Sequence, residues 1–424
     1  MSTTTSGGSL RAEPHVGAPI AQADRLHSID LLRGFALLGI LAMNIQSFSM
    51  PGAAYLNPTA YGDLTGANLW VWSLCHLLAD QKMYGIFSIL FGAGILLMTE
   101  RAEAAGSQSG RLHYRRMWWL LLFGLLHAHL LWYGDILYPY ALCGMFVYLF
   151  RRRSARTLLA LAGVFFVIGS AVYIMLGLLI QSWPPEAVAA FSEENWLPPD
   201  EQVRQELAAY RGGWLAQAAW RSSEAILMQT VFFLFAVAWK TTGNMLLGMA
   251  LFKSGVVSAE RSRAFYARLS AAGFVVGLAL ASYGIWRNFA VGWDVRYSFA
   301  FGSQFNYWGA IAADMGWIGL WMLIYLSRGL ERVKAALVAV GRTAFSNYIL
   351  QTIIATTIFY GHGFGHFGSV SRVGQLLICL AIWIVQLVIT PIWLRHFDYG
   401  PLEWLWRSLT YKRRMPLRAA AVSG

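Results

Sequence analysis

Long apolar runs alternate with short polar connections along almost the entire chain. The hydrocarbon core of a bilayer is about 30 Å thick, and a helix needs roughly 20 apolar residues to cross it. The pattern therefore predicts an all-α fold, a polytopic transmembrane helical bundle of about ten spans. Their approximate bounds are 29–48, 70–98, 116–133, 136–150, 157–181, 226–252, 269–290, 305–327, 336–358 and 375–394.

Charged or imidazole side chains interrupt several of these runs. An ionisable group inside a membrane helix is energetically expensive, and it usually faces the bundle interior, where it pairs with another polar group. The pattern therefore predicts a polar site within the bundle. The residues concerned are Asp30, Arg33, Asp80, Lys82, His127, Asp135, Lys240, Asp314 and Arg342.

Composition supports the same class. Apolar residues form 57% of the chain and charged residues 13%, whereas a soluble domain carries about 25% charge. In a soluble protein, the net charge of +12 would suggest a nucleic-acid partner. The chain has no recognisable nucleic-acid-binding module, so we exclude that partner.

The basic residues instead predict an orientation. They concentrate in alternate loops, whereas residues 49–69 hold no Lys or Arg and residues 359–374 hold only Arg372. Cytoplasmic loops carry an excess of Lys and Arg. We therefore predict that both termini are cytoplasmic.

The predicted spans and their orientation divide the chain into three regions. Residues 1–24 are polar and predict a disordered cytoplasmic tail, followed by a retained span and no cleaved signal. Residues 25–410 form the bundle, and residues 411–424 form a basic cytoplasmic tail. Within the bundle, the proline-rich and acidic segment 182–225 is either an extracytoplasmic lid or a solvated connector, with helical periodicity from Asp200 to about Ala219.

Helical spacing groups several of these side chains. Asp30 and Arg33 are three residues apart, so they share a face, where they form either an anchoring salt bridge or part of the site. Asn347 and Gln351 form a polar stripe in the same way. Lys240 and Asp314 have opposite charges at similar depth, so we predict that they pair. Small residues that suit close helix contact are Gly34, Gly92 and Gly94.

The richest stretch runs from Gly124 to Tyr140 and contains His127 and Asp135. His127 lies eleven residues beyond Arg116, about 16 Å along a helix, which places it near the midplane. There it is either a general base or a histidine hydrogen-bonded to a neighbouring helix. Asp135 could orient the imidazole, cap the next helix or bind an acceptor. Lys82 is either a buried counter-ion or a substrate contact.

Other chemistries find little support. The three cysteines lie in apolar runs without disulfide or metal spacing, and His362 and His366 lie in a glycine-rich turn with no third ligand, so we predict no metal site. No nucleotide-phosphate loop is present, which argues against an ATP-driven mechanism. We expect no tightly bound cofactor.

Several motifs together resemble the YeiB-like family of bacterial membrane proteins, known as domain of unknown function 418. They are Asp30-Leu-Leu-Arg33-Gly34, Phe87 to Gly94, His127 to Leu137, Gly341-Arg342 to Gln351, and Tyr399-Gly-Pro-Leu-Glu403-Trp404-Leu-Trp406-Arg407. The resemblance implies a multi-pass protein of the bacterial cytoplasmic (inner) membrane. The family is grouped with the transmembrane acyltransferase superfamily, whose members pass an acyl group from cytosolic acyl-CoA to an acceptor across the membrane, with a histidine implicated in transfer. His76 is a rival to His127 for that role.

The leading hypothesis is therefore a membrane-embedded acyltransferase that uses acyl-CoA as co-substrate and a lipid, glycan or small molecule as acceptor. His127, helped by Asp135, would deprotonate the acceptor. Lys82, Asn347 or Gln351 would stabilise the oxyanion. Asp30 belongs to the same predicted donor site, and its arginines, which would meet the CoA phosphates, are Arg33, Arg115, Arg116 and Arg342.

Two alternatives remain at this level. A proton- or charge-coupled transporter of a small solute would use the intramembrane charges as a relay, although the sequence shows no pair of spans broken by Gly or Pro. A membrane scaffold without chemistry would leave those charges unexplained. Binding of CoA at the inner face distinguishes the enzyme from the transporter.

Overall fold

A computed structural model describes residues 26–418 of the chain, so the predicted tail 1–24 lies outside the described residues. The described part is helical and contains no strand. Its helices are α1 (His27–Ser49), α2 (Ala53–Leu56), α3 (Gly66–Leu78), α4 (Lys82–Ala104), α5 (Ser109–Leu130), α6 (Leu137–Val147), α7 (Ala155–Ser182), α8 (Pro185–Asn195), α9 (Asp200–Arg211), α10 (Ala216–Leu227), α11 (Ala238–Lys253), α12 (Arg263–Ala290), α13 (Val295–Tyr297), α14 (Ser303–Leu326), α15 (Glu331–Arg342), α16 (Ala344–Phe359), α17 (Arg372–Trp393) and α18 (Pro401–Tyr411).

The predicted fold class, an all-α membrane protein, is confirmed. Within the described residues, seven helical segments are long and apolar enough to cross a bilayer: His27–Ser49, Gly66–Ala104, Ala155–Ser182, Ala216–Lys253, Arg263–Ala290, Val295–Leu326 and Arg372–Trp393. Leu137–Phe150 and Ala344–Phe359 are apolar but shorter. The count of ten spans and the cytoplasmic termini stay predictions.

Two spans that are predicted to be continuous helices are each divided in two, so this part of the sequence-based prediction is wrong. The predicted span 70–98 is divided into α3 and α4, because Gln81 adopts a left-handed backbone with φ of 62°. The predicted span 336–358 ends as α15 at Arg342 and restarts as α16 after Thr343. Neither break contains Gly or Pro at its centre. A further irregularity, a π-helical segment at Met228–Val237, joins α10 to α11.

Helix α1 lies in the centre of the bundle and packs against α4, α15, α16 and α17. Its approach to α15 is close, because a Cβ on Gly34 would overlap the carbonyl of Leu337. A Cβ on Gly92 of α4 would likewise overlap the carbonyl of Met245 in α11. The predicted close contacts at Gly34 and Gly92 are thus confirmed. The close contact predicted at Gly94 is wrong, since a Cβ there would meet only an Arg33 nitrogen at 4.0 Å.

The segment predicted as a lid is helical and packs on one end of the bundle. Its periodic stretch ends earlier than predicted, at Arg211, because Gly212 is extended and α10 begins only at Ala216. Two bonds fix α9 to neighbouring loops: Glu206 accepts from the Gly52 amide at 2.9 Å, and the Gly361 amide donates to the Tyr210 carbonyl at 2.9 Å. We call this the lid end of the bundle.

The predicted cytoplasmic loops lie together at the opposite end, which we call the basic end. Lys253 donates to the carbonyl of Arg153 at 2.9 Å, so two of these loops are in contact. Residues 397 and 418 pair as an isolated bridge, and the Asp398 amide donates to the Leu417 carbonyl at 3.1 Å. The carboxyl-terminal segment is therefore folded against this end as far as it is described.

Candidate functional site

A buried histidine–aspartate pair lies where α5 ends and α6 begins. His127 Nδ1 is 2.8 Å from Asp135 Oδ1, and the two side chains are 1% and 2% exposed. The other Asp135 oxygen accepts from the Tyr138 amide at 2.6 Å, which satisfies a free amide in the first turn of α6. Asp135 therefore both orients the imidazole and caps α6, two of the roles that its position allows.

The second nitrogen of His127 contacts a residue that no sequence motif singled out. Nε2 is 3.0 Å from the Thr352 hydroxyl on α16. Donation from Nδ1–H to the carboxylate leaves Nε2 as an acceptor, which is the state a general base requires. Thr352 is separated from His127 by more than 200 residues and belongs to no local motif, so only the tertiary fold reveals it.

The rival histidine also has a carboxylate partner. His76 Nδ1 is 3.2 Å from Asp80 Oδ2, and these side chains are 21% and 20% exposed. Asp80 also accepts from the Tyr55 hydroxyl and from Asn306 Nδ2, each at 2.9 Å. Lys82 donates to the His76 carbonyl at 2.7 Å and to Asn306 Oδ1. The structure thus places Lys82 with His76 at the α3–α4 break, and its partners there are different from those of His127.

The predicted ion pair between Lys240 and Asp314 is wrong, since no direct ion pair joins them in the described residues. Lys240 donates to Gln81 Oε1 at 2.6 Å and lies 4.7 Å from the centre of the Tyr307 ring. The left-handed turn at Gln81 supplies the acceptor that was expected from Asp314. Asp314 is fully buried beside Gly85, and within residues 26–418 no hydrogen bond reaches either carboxylate oxygen.

Three of the predicted CoA-binding arginines converge at the basic end. Arg33 donates to Asp30 at 2.7 Å. Arg116 lies 4.4 Å from the centre of the Trp406 ring, within electrostatic range of Arg33 and Arg407. Arg342 is in electrostatic range of Asp30 and Arg407. We call Arg33, Arg116, Arg342 and Arg407 the arginine cluster.

The fourth member of this cluster, Arg407, was not among the predicted site residues. It lies on α18, whose carboxylate Glu403 is already engaged, since it accepts from the amides of Phe345 and Ser346 at the start of α16. Burial raises the pKa of Glu403 above its usual range. Within the described residues, Asp30 is the one carboxylate in an ion pair with the cluster, so the cluster carries an excess of positive charge.

The side-chain amides of Asn347 and Gln351 are hydrogen-bonded in a network that connects α16 to α17 and α1. Gln351 donates to Gln386 at 2.9 Å and to the Leu37 carbonyl at 3.4 Å. Gln386 in turn donates to Asn347 Oδ1 at 3.0 Å. A role for either amide in stabilising an oxyanion would require these bonds to break. Arg115, predicted with the CoA ligands, instead lines a separate groove with Trp118 and Trp404.

Where the lid segment packs on the bundle, several buried polar atoms lack hydrogen-bond partners within residues 26–418: the Tyr210 hydroxyl and both terminal nitrogens of Arg221 in the lid segment, and Trp132 Nε1 and the Tyr360 hydroxyl outside it. Trp132 connects this group to the histidine, because it belongs to the same buried cluster as Tyr210 and Tyr360 and its ring centre is 6.4 Å from that of His127. Buried polar groups are normally paired. Most of these atoms are donors, so they suit a ligand that is rich in acceptor oxygens.

The lid carries a carboxyl that titrates near neutrality, which predicts a pH dependence. Burial raises the pKa of Glu206 to about 7. The folded lid therefore binds more protons than the unfolded lid between the ordinary glutamate pKa and about pH 7, so its stability falls as pH rises through that window. After correction for intrinsic exchange rates, we expect amide exchange of Asp200–Arg211 to be about tenfold faster at pH 8 than at pH 5. Glu206→Gln should remove that difference, and an unchanged difference would contradict the assignment.

Relatives in two distant bacteria match nearly the whole chain. The uncharacterized protein YeiB of Escherichia coli is 32% identical over 406 residues, covering 93% of this chain and 98% of the relative. The chain belongs to the YeiB-like family. The uncharacterized protein YxaH of Bacillus subtilis is 32% identical over 94% of this chain and 97% of its own length. The family profile described as "Protein of unknown function (DUF418)" matches residues 251–413.

The resemblance to the YeiB-like family read from the motifs is thus confirmed, and with its apolar helices the chain is a membrane protein of a bacterial family. The profile match includes Arg342, Thr352 and Arg407. No solved structure matches the chain.

Proposed function

We propose that this YeiB-like protein is a membrane-embedded acyltransferase that moves an acyl group from cytosolic acyl-CoA to an acceptor at or beyond the membrane. One observation carries the proposal: His127, which is paired with Asp135 in a buried contact, lies on the same helix, α5, as Arg116 of the arginine cluster. Eleven residues separate His127 from Arg116, which corresponds to about 16 Å. A CoA molecule held by its phosphates at the cluster would extend its thioester arm toward the histidine.

The chemistry assigns a role to each group of the pair. His127 Nε2 removes the proton of an acceptor hydroxyl or amine, and the Asp135 carboxylate stabilises the imidazolium that forms. The acceptor atom attacks the thioester carbonyl, the C–S bond breaks, and the imidazolium returns the proton to the CoA thiolate. The Thr352 hydroxyl occupies the position at Nε2 that an acceptor would take. Substrate binding in this scheme displaces Thr352.

The oxyanion needs a free donor near His127. The predicted donors Lys82, Asn347 and Gln351 are bound to other protein groups. Trp132 Nε1 is buried without a partner in the described residues, and its ring contacts that of His127. We therefore assign Trp132 to this role in the proposal. One such donor lowers the barrier by about 3 kcal/mol where water is excluded.

The acceptor would enter from the lid end. The unpartnered nitrogens of Arg221 and the hydroxyls of Tyr210 and Tyr360 favour a molecule with hydroxyl or anionic oxygens, such as a glycan or a lipid headgroup. This arrangement is consistent with a multi-pass protein of the bacterial inner membrane that has ten spans and both termini in the cytoplasm. The basic end then faces the cytosolic donor.

A second candidate, a charge-coupled transporter, is favoured by a different region. The α3–α4 break brings Asp80, Lys82 and Lys240 together beside the unpaired Asp314. Discontinuous membrane helices with buried charges are typical of ion and solute sites in transporters. This cluster contains none of the groups that the acyl-transfer scheme uses.

Calorimetry with acyl-CoA in lipid nanodiscs tests the proposal. We expect micromolar binding that Arg116→Gln weakens about tenfold or more, because a charge-assisted contact to phosphate is worth about 1.5–3 kcal/mol. Arg152→Gln is the matched control, since Arg152 is exposed in another loop of the basic end. An absence of binding for every acyl chain length, together with solute flux in proteoliposomes, would contradict the enzyme and favour the transporter.

A further inference from the structure

A second basic region at this end lies apart from the arginine cluster. A groove of about 790 Å³ lies between α5, α18 and the carboxyl-terminal segment. Arg115 contributes one wall, and its Nε is buried without a partner in the described residues. The groove lining includes four cations and no carboxylate: Arg115, Lys412, Arg413 and Arg414.

A specific turn brings Lys412, Arg413 and Arg414 to the groove. Lys412 follows the last residue of α18 in a left-handed conformation with φ of 55°, which reverses the chain. Arg413 then donates from its amide to the Ser408 carbonyl at 3.2 Å, and Trp404 Nε1 donates to the Met415 carbonyl at 2.7 Å. The segment predicted as a basic tail is therefore folded back here, so that its charges line the groove.

The groove opens onto a face of α5 that is suited to lipid. Every fourth residue along this face is a large exposed apolar side chain: Trp118, Leu122, Leu126 and Leu130, with Trp118 61% exposed. Residues four apart share one face of a helix. The stripe extends about 18 Å from the groove along the helix axis. This length matches an extended acyl chain of a membrane lipid, with its headgroup at the groove.

We propose that this groove binds the headgroup of an anionic phospholipid, with one acyl chain lying along the Trp118–Leu130 stripe. The phosphate would meet Arg115 and the three cations of the turn, and Trp118 and Trp404 would lie at the level of the glycerol, where tryptophan is enriched in membrane proteins. Basic pockets at the cytoplasmic side of membrane helices bind anionic headgroups through these interactions. The site is independent of the acyl-transfer proposal.

Native mass spectrometry of the purified full chain tests the site with an equimolar mixture of phosphatidylglycerol and phosphatidylcholine. We expect the wild type to retain phosphatidylglycerol about tenfold over phosphatidylcholine. The triple variant Lys412→Gln, Arg413→Gln, Arg414→Gln should lose this preference. The matched control is Arg152→Gln, Arg153→Gln, Arg156→Gln, which removes the same charge from exposed side chains before and in the first turn of α7 at the same end and should keep the preference.

Two results would overturn the proposal. Equal loss of preference in both triple variants would mean that general surface charge, and not the groove, selects the lipid. Displacement of phosphatidylglycerol by excess palmitoyl-CoA would assign the groove to the nucleotide. The single variant Arg115→Gln distinguishes loss of the binding site from misfolding of the triple variant. It leaves the turn intact and should also reduce the preference for phosphatidylglycerol.

Discussion

His127→Asn should reduce the transfer of a labelled acyl group from acyl-CoA by about 10²–10⁴-fold, the range that a general base contributes. Asparagine approximates the imidazole's size and keeps a polar group near Asp135, but it cannot accept and return a proton. Acyl-CoA binding should be unchanged, because the arginine cluster lies about 16 Å away along α5. Calorimetry beside the transfer assay separates the two effects.

His76→Asn is the matched control for this prediction, since within residues 26–418 His76 is the other histidine with a carboxylate partner. It should retain most of the transfer activity. Thr352→Ala should also retain activity, because the hydroxyl only occupies the acceptor's position in the proposed scheme. Loss of transfer in His76→Asn with normal activity in His127→Asn would mean that the general base is His76, at the α3–α4 break.

Gly248→Val should prevent stable packing of α4 against α11. A Cβ at this position overlaps the backbone carbonyl of Ile89, and a Cβ on Gly92 overlaps that of Met245. These are backbone atoms, so no side-chain rotation relieves the overlap and the helices must separate. We expect destabilisation of about 3 kcal/mol, seen as loss of monodisperse protein in detergent and a lower unfolding temperature.

Gly94→Ala supplies a control on α4, the helix that faces Gly248. Its added carbon meets only the end of a flexible arginine at 4.0 Å, so its unfolding temperature should stay close to that of the wild type. Normal stability of Gly248→Val would mean that α4 and α11 are farther apart than in the structure described above.

The sequence predicts those features that depend on local pattern. Apolar runs gave the helical membrane class, and the small residues Gly34 and Gly92 marked two close crossings correctly. His127 and Asp135 could be paired in advance because they are eight residues apart, at the end of α5 and in the connection that follows it, so their proximity needs no distant contact.

Features that depend on distant segments escaped prediction. Thr352 meets His127 through a contact between α5 and α16, and Arg407 joins the arginine cluster only because α18 packs on α5. Lys240 was assigned the wrong partner, because depth along a helix says nothing about the left-handed turn at Gln81 that supplies its acceptor. Polar tertiary contacts, and not Gly or Pro, accompany that break.

Transfer of the acyl group itself distinguishes an acyltransferase from a transporter. Labelled acyl-CoA is added to inside-out and right-side-out vesicles that contain the protein, and release of free CoA thiol is measured together with label in CoA-free products. We expect both signals in inside-out vesicles, neither in right-side-out vesicles, and loss of both with His127→Asn. Acyl-CoA that remains intact on both sides, in vesicles that contain folded protein and native lipid acceptors, would contradict it.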